Sequence, residues 1–424
     1  MTAAIILFAA TYVGMLIFGK YRPYIALASG VIFILTGMLP LNQIWGSIDW
    51  NVILMIAGTM GLVSLFVESK MPALLADLIM EKVPNVKWAV VSLALFAGII
   101  SAFVDNVATV LMIAPIALAI CKKLNTNPVS FIIAIAVSSN LQGAATLIGD
   151  TTAIMLGAEL NMSFLDFFWY KGKPSIFFAV ELGALISALI LMVIFRKEKS
   201  PIPKAESRTK VTDLFPSALL IAMLVLLIIV SFVPNTPDTI NGLICCGLLI
   251  IGLIYTLIRT KTLSSVVAPL KEIDFTTIGI LLGLFLMIGG ISNKGVIDAA
   301  ANLLAEAGGS NIFLLYTIIV WASVLISAFI DNIPYVATML PLLGTLSLNL
   351  GIDPTPLYFG LLSGATLGGN CTPIGASANI TGIGILRKEG YEVKNKDFFK
   401  IGIPFTLAAI IPAYICIWLL YGIR

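Results

Sequence analysis

The chain has 424 residues, 59% of them hydrophobic and 11% charged, with a mean hydropathy of +1.05 and a formal charge of +3. A soluble domain of this length could not hide so much apolar surface, so the composition is that of an all-α polytopic membrane protein, with no expectation of an attached soluble domain. The absence of histidine excludes imidazole proton relays, His-bound metals and Ser-His triads.

In chain order, the first apolar stretch, "AAIILFAATYVGMLIF", lacks a basic n-region and a small-residue cleavage site and reads as a span, not a signal peptide. Spans are predicted at about 3–18, 24–40, 51–67, 175–195, 214–233, 240–258, 276–292 and 402–423, with two long glycine-interrupted ones at about 131–160 and 356–385. Two more apolar stretches, 88–121 and 312–345, are centred on Asp-Asn pairs: "SAFVDNVATVLMIAPI" at 101–116 and "SAFIDNIPYVATMLPL" at 327–342. A carboxylate at the bilayer centre costs about 3 kcal/mol on insertion scales, so a residue of this kind needs a compensating partner. Their polar tips mark these two stretches as re-entrant hairpins. The hydrophilic linker "RKEKSPIPKAESRTKVTD" at 196–213 separates a first membrane repeat, 1–195, from a second, 214–424. The five cysteines, Cys121, Cys245, Cys246, Cys371 and Cys416, lie in apolar surroundings without metal-ligand spacing and read as core packing.

The halves read as copies. Ser101, Ala102, Phe103, Asp105, Asn106 and Pro115 reappear 226 positions later as Ser327, Ala328, Phe329, Asp331, Asn332 and Pro341. Gly143, Thr146, Ile148 and Gly149 reappear at the same offset as Gly369, Thr372, Ile374 and Gly375, and "SID" at 47–49 answers "EID" at 272–274. With five spans and a hairpin in each half, the second half must be inverted. Placing the linker in the cytoplasm leaves only Lys171, Lys173, Lys294 and Arg424 outside, the arrangement that the positive-inside rule prefers, with both termini outside.

Each half has two interrupted apolar stretches: "VDNVAT" with "SSNLQGAATLIGDTT", and "IDNIPYVAT" with "GATLGGNCTPIGASANIT". Backbone broken at depth is tolerated only inside protein or around a cavity, and half-helix ends offer N–H groups to anions and carbonyls to cations. The candidate substrate- and ion-binding residues are therefore Asp105, Asn106, Ser139, Asn140, Gly143, Thr146, Gly149 and Asp150 in the first half. In the second half they are Asp331, Asn332, Gly369, Asn370, Thr372 and Gly375. No Lys or Arg lies in the middle of a predicted span, so a bare anion would need a co-bound cation or half-helix N-termini. The Asp-Asn pairs, Asp105 with Asn106 and Asp331 with Asn332, are expected to hold a coupling cation, Na⁺ or H⁺. Glu181 has no counterpart at the repeat offset and is expected to pack against a polar neighbour.

The hairpin and broken-helix motifs quoted above resemble those of the ion transporter superfamily, in the branch of ArsB-type arsenite permeases, NhaD-type sodium/proton antiporters and P-protein-like permeases with a citrate-transporter-like domain. The likeness covers nearly the whole chain. It implies an elevator-type carrier in a prokaryotic plasma membrane, often a homodimer, with its partners limited to lipid and a small ion. The function implied is secondary transport of a small organic or inorganic anion coupled to Na⁺ or H⁺; Na⁺/H⁺ antiport and arsenite or antimonite efflux are the alternatives. Thr151, Thr152 and Ala153 follow Ile-Gly-Asp where P-protein-like sequences often have Pro-Pro-Asn, which is closer to the antiporters. An intramembrane aspartyl protease is disfavoured because Leu147 stands where its Gly-x-Gly-Asp motif needs glycine. No phosphate-binding G-x-x-x-x-G-K-[ST] exists for ATP-driven transport, and neither nucleic acid nor a resident cofactor is expected. A channel would conduct without saturating, whereas paired broken helices favour alternating access. Cysteine-accessibility mapping should label loop 122–130 from the cytoplasm and loop 346–355 from outside; labelling of both from one side would refute the inverted arrangement.

Overall fold

The computed structural model describes residues 1–124, 126–202, 208–308 and 311–423; linker residues 203–207 and Arg424 lie outside the described residues. The first half comprises α1 (Thr2–Ile17), α2 (Arg22–Leu35), α3 (Ile44–Ser47), α4 (Trp50–Glu68), α5 (Met71–Met80), α6 (Val86–Ser101), α7 (Asn106–Leu124), α8 (Val129–Gln142), α9 (Thr151–Glu159) and α10 (Ile176–Ile194). The second comprises α11 (Phe215–Val230), α12 (Ile240–Thr260), α13 (Ser264–Lys271), α14 (Phe275–Asn293), α15 (Val296–Gly308), α16 (Ile312–Ser327), α17 (Asn332–Leu350), α18 (Thr355–Gly368), α19 (Ser377–Lys388) and α20 (Asn395–Ile417). The only strands among the described residues, β1 (Trp169–Tyr170) and β2 (Lys173–Pro174), form a hairpin turning through Lys171 and Gly172, both at positive φ.

Helix starts follow from the sequence at matching places. Asp49 caps α4 by accepting from Val52 N at 3.0 Å, and Asp274 caps α14 by accepting from Thr277 N at 3.1 Å. Asn85 does the same for α6 and Asn311 for α16. Each of the ten predicted spans lies on a helix or on one of the interrupted pairs α8–α9 and α18–α19. By length and apolarity, seven helices can cross a bilayer among the described residues, and eight if α1 and α2, bent by 116°, count as one span. Two of these are α7 and α17, the second limbs of the expected hairpins. Their 19 residues, at about 1.5 Å of rise each, make them as long as a full span. The sequence reading did not anticipate α3, α5, α13, α15 or the β-hairpin. The last is tied down by Lys171 Nζ, 2.9 Å from Asp353 Oδ1. Burial works against charge on Asp353, but hydrogen bonds from Thr355 and Lys171 outweigh it and hold the carboxyl below its ordinary value.

The two halves interlock. Helix α2 packs on α14 and α4 on α12, so each half supplies one helix to each pair. Small residues permit this: a Cβ on Gly283 would lie 2.3 Å from the Ala26 carbonyl carbon, and one on Gly58 2.5 Å from the backbone of Cys245. Beside these pairs, α6 packs on α8 and α16 on α18, joined by α10 against α20. The described part of the linker is strapped to the first half: Val86 N donates to Ser200 O, Lys87 N donates to Glu198 O, and Arg208 forks onto Glu81 at 2.6 and 2.7 Å.

Helices α8 and α18 stop short and restart as α9 and α19. Residues 131–157 are buried throughout, so the first break is sheltered by protein, whereas the second is buried through Asn370 and at Thr372, Gly375 and Ala376 but exposed at Ile374. Each break is closed by the tip of the hairpin in its own half. A Cβ on Gly149 would lie 2.6 Å from Gly143 O and 2.9 Å from both Ser101 O and Ala102 O; one on Gly375 would lie 2.6 Å from Gly369 O and 2.8 Å from both Ser327 O and Ala328 O. Thr146 Oγ1 donates to Ala102 O, and Thr372 Oγ1 donates to Ala328 O. The last carbonyls of α6 and α16 are among the groups a helix end leaves unsatisfied, and the breaks cover them. Gly149→Ala should therefore destabilise the fold by about 1–3 kcal/mol or more, as overpacking does. Gly384→Ala, whose Cβ meets nothing within 4 Å, should not. Thermal unfolding followed by size-exclusion fluorescence measures both, and equal melting temperatures would refute the steric reading.

Candidate functional site

One hydrogen-bonded chain runs from the first hairpin tip to the second across both breaks. Asn106 Nδ2 donates to Asn140 Oδ1 at 3.0 Å, and Asn140 Nδ2 donates to Thr366 O at 2.7 Å and to Asn370 Oδ1 at 3.1 Å. Thr366 Oγ1 lies 3.1 Å from Thr152 Oγ1, which donates to Asp150 Oδ2 at 2.6 Å. Asn332 Nδ2 approaches the same oxygen at 3.4 Å. Asn370 Nδ2 returns to Val137 O at 2.8 Å, and Ser139 Oγ donates to Asn106 O at 3.0 Å. Asn106, Ser139, Asn140, Asp150, Asn332 and Asn370, singled out from the sequence, thus meet in one network.

The others take supporting places. Thr146, Gly149, Thr372 and Gly375 fit the breaks to the tips, while Gly143 and Gly369 present carbonyls to them. Asn379, not anticipated, donates to Gly369 O and Thr372 O, each at 3.1 Å. Thr152 and Thr366 were also missed, although Thr152 stands in the quoted "IGDTT"; only the fold brings Thr366 to it.

The three aspartates differ in what surrounds them. Asp105 Oδ1 accepts from Val107 N at 3.0 Å and Ala108 N at 3.1 Å, which caps α7. Asp331 Oδ1 accepts from Ile333 N at 3.2 Å and caps α17, while its Oδ2 lies 3.5 Å from Arg22 Nη1. Asp150 is buried and starts α9 without capping it; the Thr152 hydroxyl and the Asn332 amide face it instead. Among the described residues, Asp105 and Asp150 have no Lys or Arg within 4.0 Å. Arg22 was not connected to the site from sequence because it sits between two predicted spans and acts across the fold.

Among the described residues, no three His, Cys, Asp or Glu side chains converge to hold a metal ion. The oxygens at the tips and breaks are amide, hydroxyl and backbone carbonyl, the donor set of a hard cation. Glu181 meets Gln142 Nε2 at 3.4 Å, the polar neighbour expected of it, at the end of α8.

The sequence profile of the family described as "Citrate transporter" matches residues 6–364 and, a second time, 248–423. An uncharacterised transporter of Mycobacterium bovis is 30% identical over 99% of this chain and 98% of its own length, and a 46 kDa membrane protein of Mycobacterium leprae is 31% identical over 88% and 87%. The P protein of Mus musculus is 28% identical over 85% of this chain and 52% of its own. Among solved structures, the Alcanivorax borkumensis YdaH transporter superposes with a TM-score of 0.62 at 13% identity, over 89% of this chain and 86% of that one. Neisseria gonorrhoeae MtrF superposes at 0.59 and 15% identity, over 93% and 85%. These two share the fold. With a family match across most of its length and relatives that are membrane transporters, this chain belongs to the citrate transporter family.

Proposed function

We propose that this transporter is a secondary carrier that couples movement of a small ion to Na⁺ or H⁺, and that the coupling cation binds at the first hairpin tip. The observation that carries the reading is the pair Asp105 and Asp150. Both carboxylates, Asp105 at the hairpin tip and Asp150 at the broken helix, lack a cationic side chain within 4.0 Å among the described residues. An uncompensated charge at such a place is costly, and a bound cation or a proton removes the cost. Asn106, Asn140 and the carbonyls gathered around Gly149 supply neutral oxygens beside them. The cargo would meet the same network from the side of Asn332 and Asn370. An anion would bind there next to the coupling cation; if the cation is itself the cargo, the chain works as a Na⁺/H⁺ antiporter.

The arrangement supports an elevator motion. The interlocked pairs α2–α14 and α4–α12 form a scaffold, and the hairpins with the breaks form a second unit. A cavity of about 810 Å³ lies between them, lined on one side by Asp49, Asn51 and Asp238 and on the other by Met155 of α9 and Pro341 of α17. It does not reach the hydrogen-bonded chain itself. On the expected topology it opens to the outside.

Asp105→Asn keeps the size and the helix cap, since Asn and Asp cap about equally well. The variant should insert and fold, yet lose gradient-driven flux in proteoliposomes, measured with Na⁺ and pH gradients imposed separately over a panel of carboxylates, arsenite and Na⁺. A wild-type rate and ion dependence per folded protein would make Asp105 a helix cap only.

A further inference from the structure

The two hairpin tips are built alike and compensated differently. At the second tip Arg22 Nη1 stands 3.5 Å from Asp331 Oδ2, and Arg22 Nε is held by Met15 O at 3.1 Å. Tyr12 Oη donates to Pro334 O at 2.6 Å and also meets Thr338 Oγ1. The corner between α1 and α2 therefore grips the first turn of α17 by a charge and by a hydroxyl. Among the described residues, no Lys or Arg lies within 4.0 Å of Asp105 at the first tip. The corner between α11 and α12 reads "SFVPNTPDT" at 231–239 and contains an aspartate but no lysine or arginine. The helix after Asp105 begins "NVAT", without the Pro-Tyr that follows Ile333.

We infer that Arg22 is a tethered cation which fills, at Asp331, the place that a mobile cation takes at Asp105, so that each protomer binds one mobile cation and not two. A guanidinium stays charged at every working pH, so it compensates Asp331 permanently, and its planar fork suits a carboxylate. Arg22 is a positioning residue here: it acts through Asp331 and holds the second tip to the scaffold corner. The inference rests on the cation reading of Asp105 given above.

Cation counting on the purified full chain in nanodiscs tests it, with bound radioactive sodium and protons taken up measured in parallel per folded protomer. The wild type should bind one cation. Arg22→Gln should bind one more, because Asp331 is then bare, whereas Arg22→Lys and the double variant Arg22→Gln with Asp331→Asn should return to the wild-type count. A merely structural tie would change stability in all of these without changing the count, so an unchanged count in Arg22→Gln overturns the inference. If Arg22→Gln does not fold, Asp331→Asn alone decides: the wild-type count supports the tethered cation, and a count lower by one overturns it. Asp105→Asn separates the two readings, because a count that fails to fall there sinks the cation site at the first tip while the comparison at Arg22 still stands.

Discussion

The closure of each broken helix by a hairpin tip is the contact on which the rest of the molecule depends. A helix that stops inside a membrane protein leaves amides and carbonyls that lipid cannot satisfy. Here the last carbonyls of α6 and α16 meet the breaks after α8 and α18, through a threonine hydroxyl and a glycine too close to admit a Cβ. The fit occurs twice with nearly the same distances. Because the hairpins satisfy the breaks, the breaks can lie deep, and because they lie deep, polar side chains beside them meet each other instead of water.

The close backbone contacts of this centre recur in both halves, but its side chains do not. Ser139, Asn140 and Asp150 face Ala365, Thr366 and Ala376 at the repeat offset, and Asn370 faces Ala144. Such replacements convert two similar half-sites into one continuous chain of hydrogen bonds, with the buried carboxylate Asp150 contributed by the first half alone. Symmetry supplies the frame in which two breaks and two tips converge; departure from it decides where charge resides. Arg22 extends the departure to the start of α2, since the corner between α1 and α2 carries basic residues and the one between α11 and α12 does not.

The membrane class, the helices beneath the apolar stretches and the residues of the breaks were legible because hydropathy and a repeated motif are local signals that need no knowledge of contacts; the division into spans and hairpins was not, since α7 and α17 are long enough to cross and α1 with α2 makes at most one bent span. The short helices α3 and α13 were not, since a few residues against a neighbouring helix leave no periodic trace. Helix capping at Asn85 and Asn311 could have been read, as both stand at the repeat offset just before an apolar run. The partners Thr366 and Arg22 lay beyond sequence reading for another reason. They reach Thr152 and Asp331 from the other half of the chain, so only packing defines them.

Charge also constrains what can enter the cavity. The cavity of about 810 Å³ is lined by Asp49, Glu159 and Asp238 and, among the described residues, by no lysine or arginine. A low-dielectric cleft of one sign concentrates ions of the opposite sign and repels its own. A tricarboxylate entering the cavity alone would meet three acidic side chains there. The family description therefore carries the fold further than it carries the cargo. A polyanion would meet less repulsion in the cavity with its charge masked by accompanying cations, whereas a cation or a neutral oxyacid meets no such barrier there. Electrostatics thus ranks the cargoes by net charge on the moving species, which is a property of the complex that enters the site and not of the free ligand.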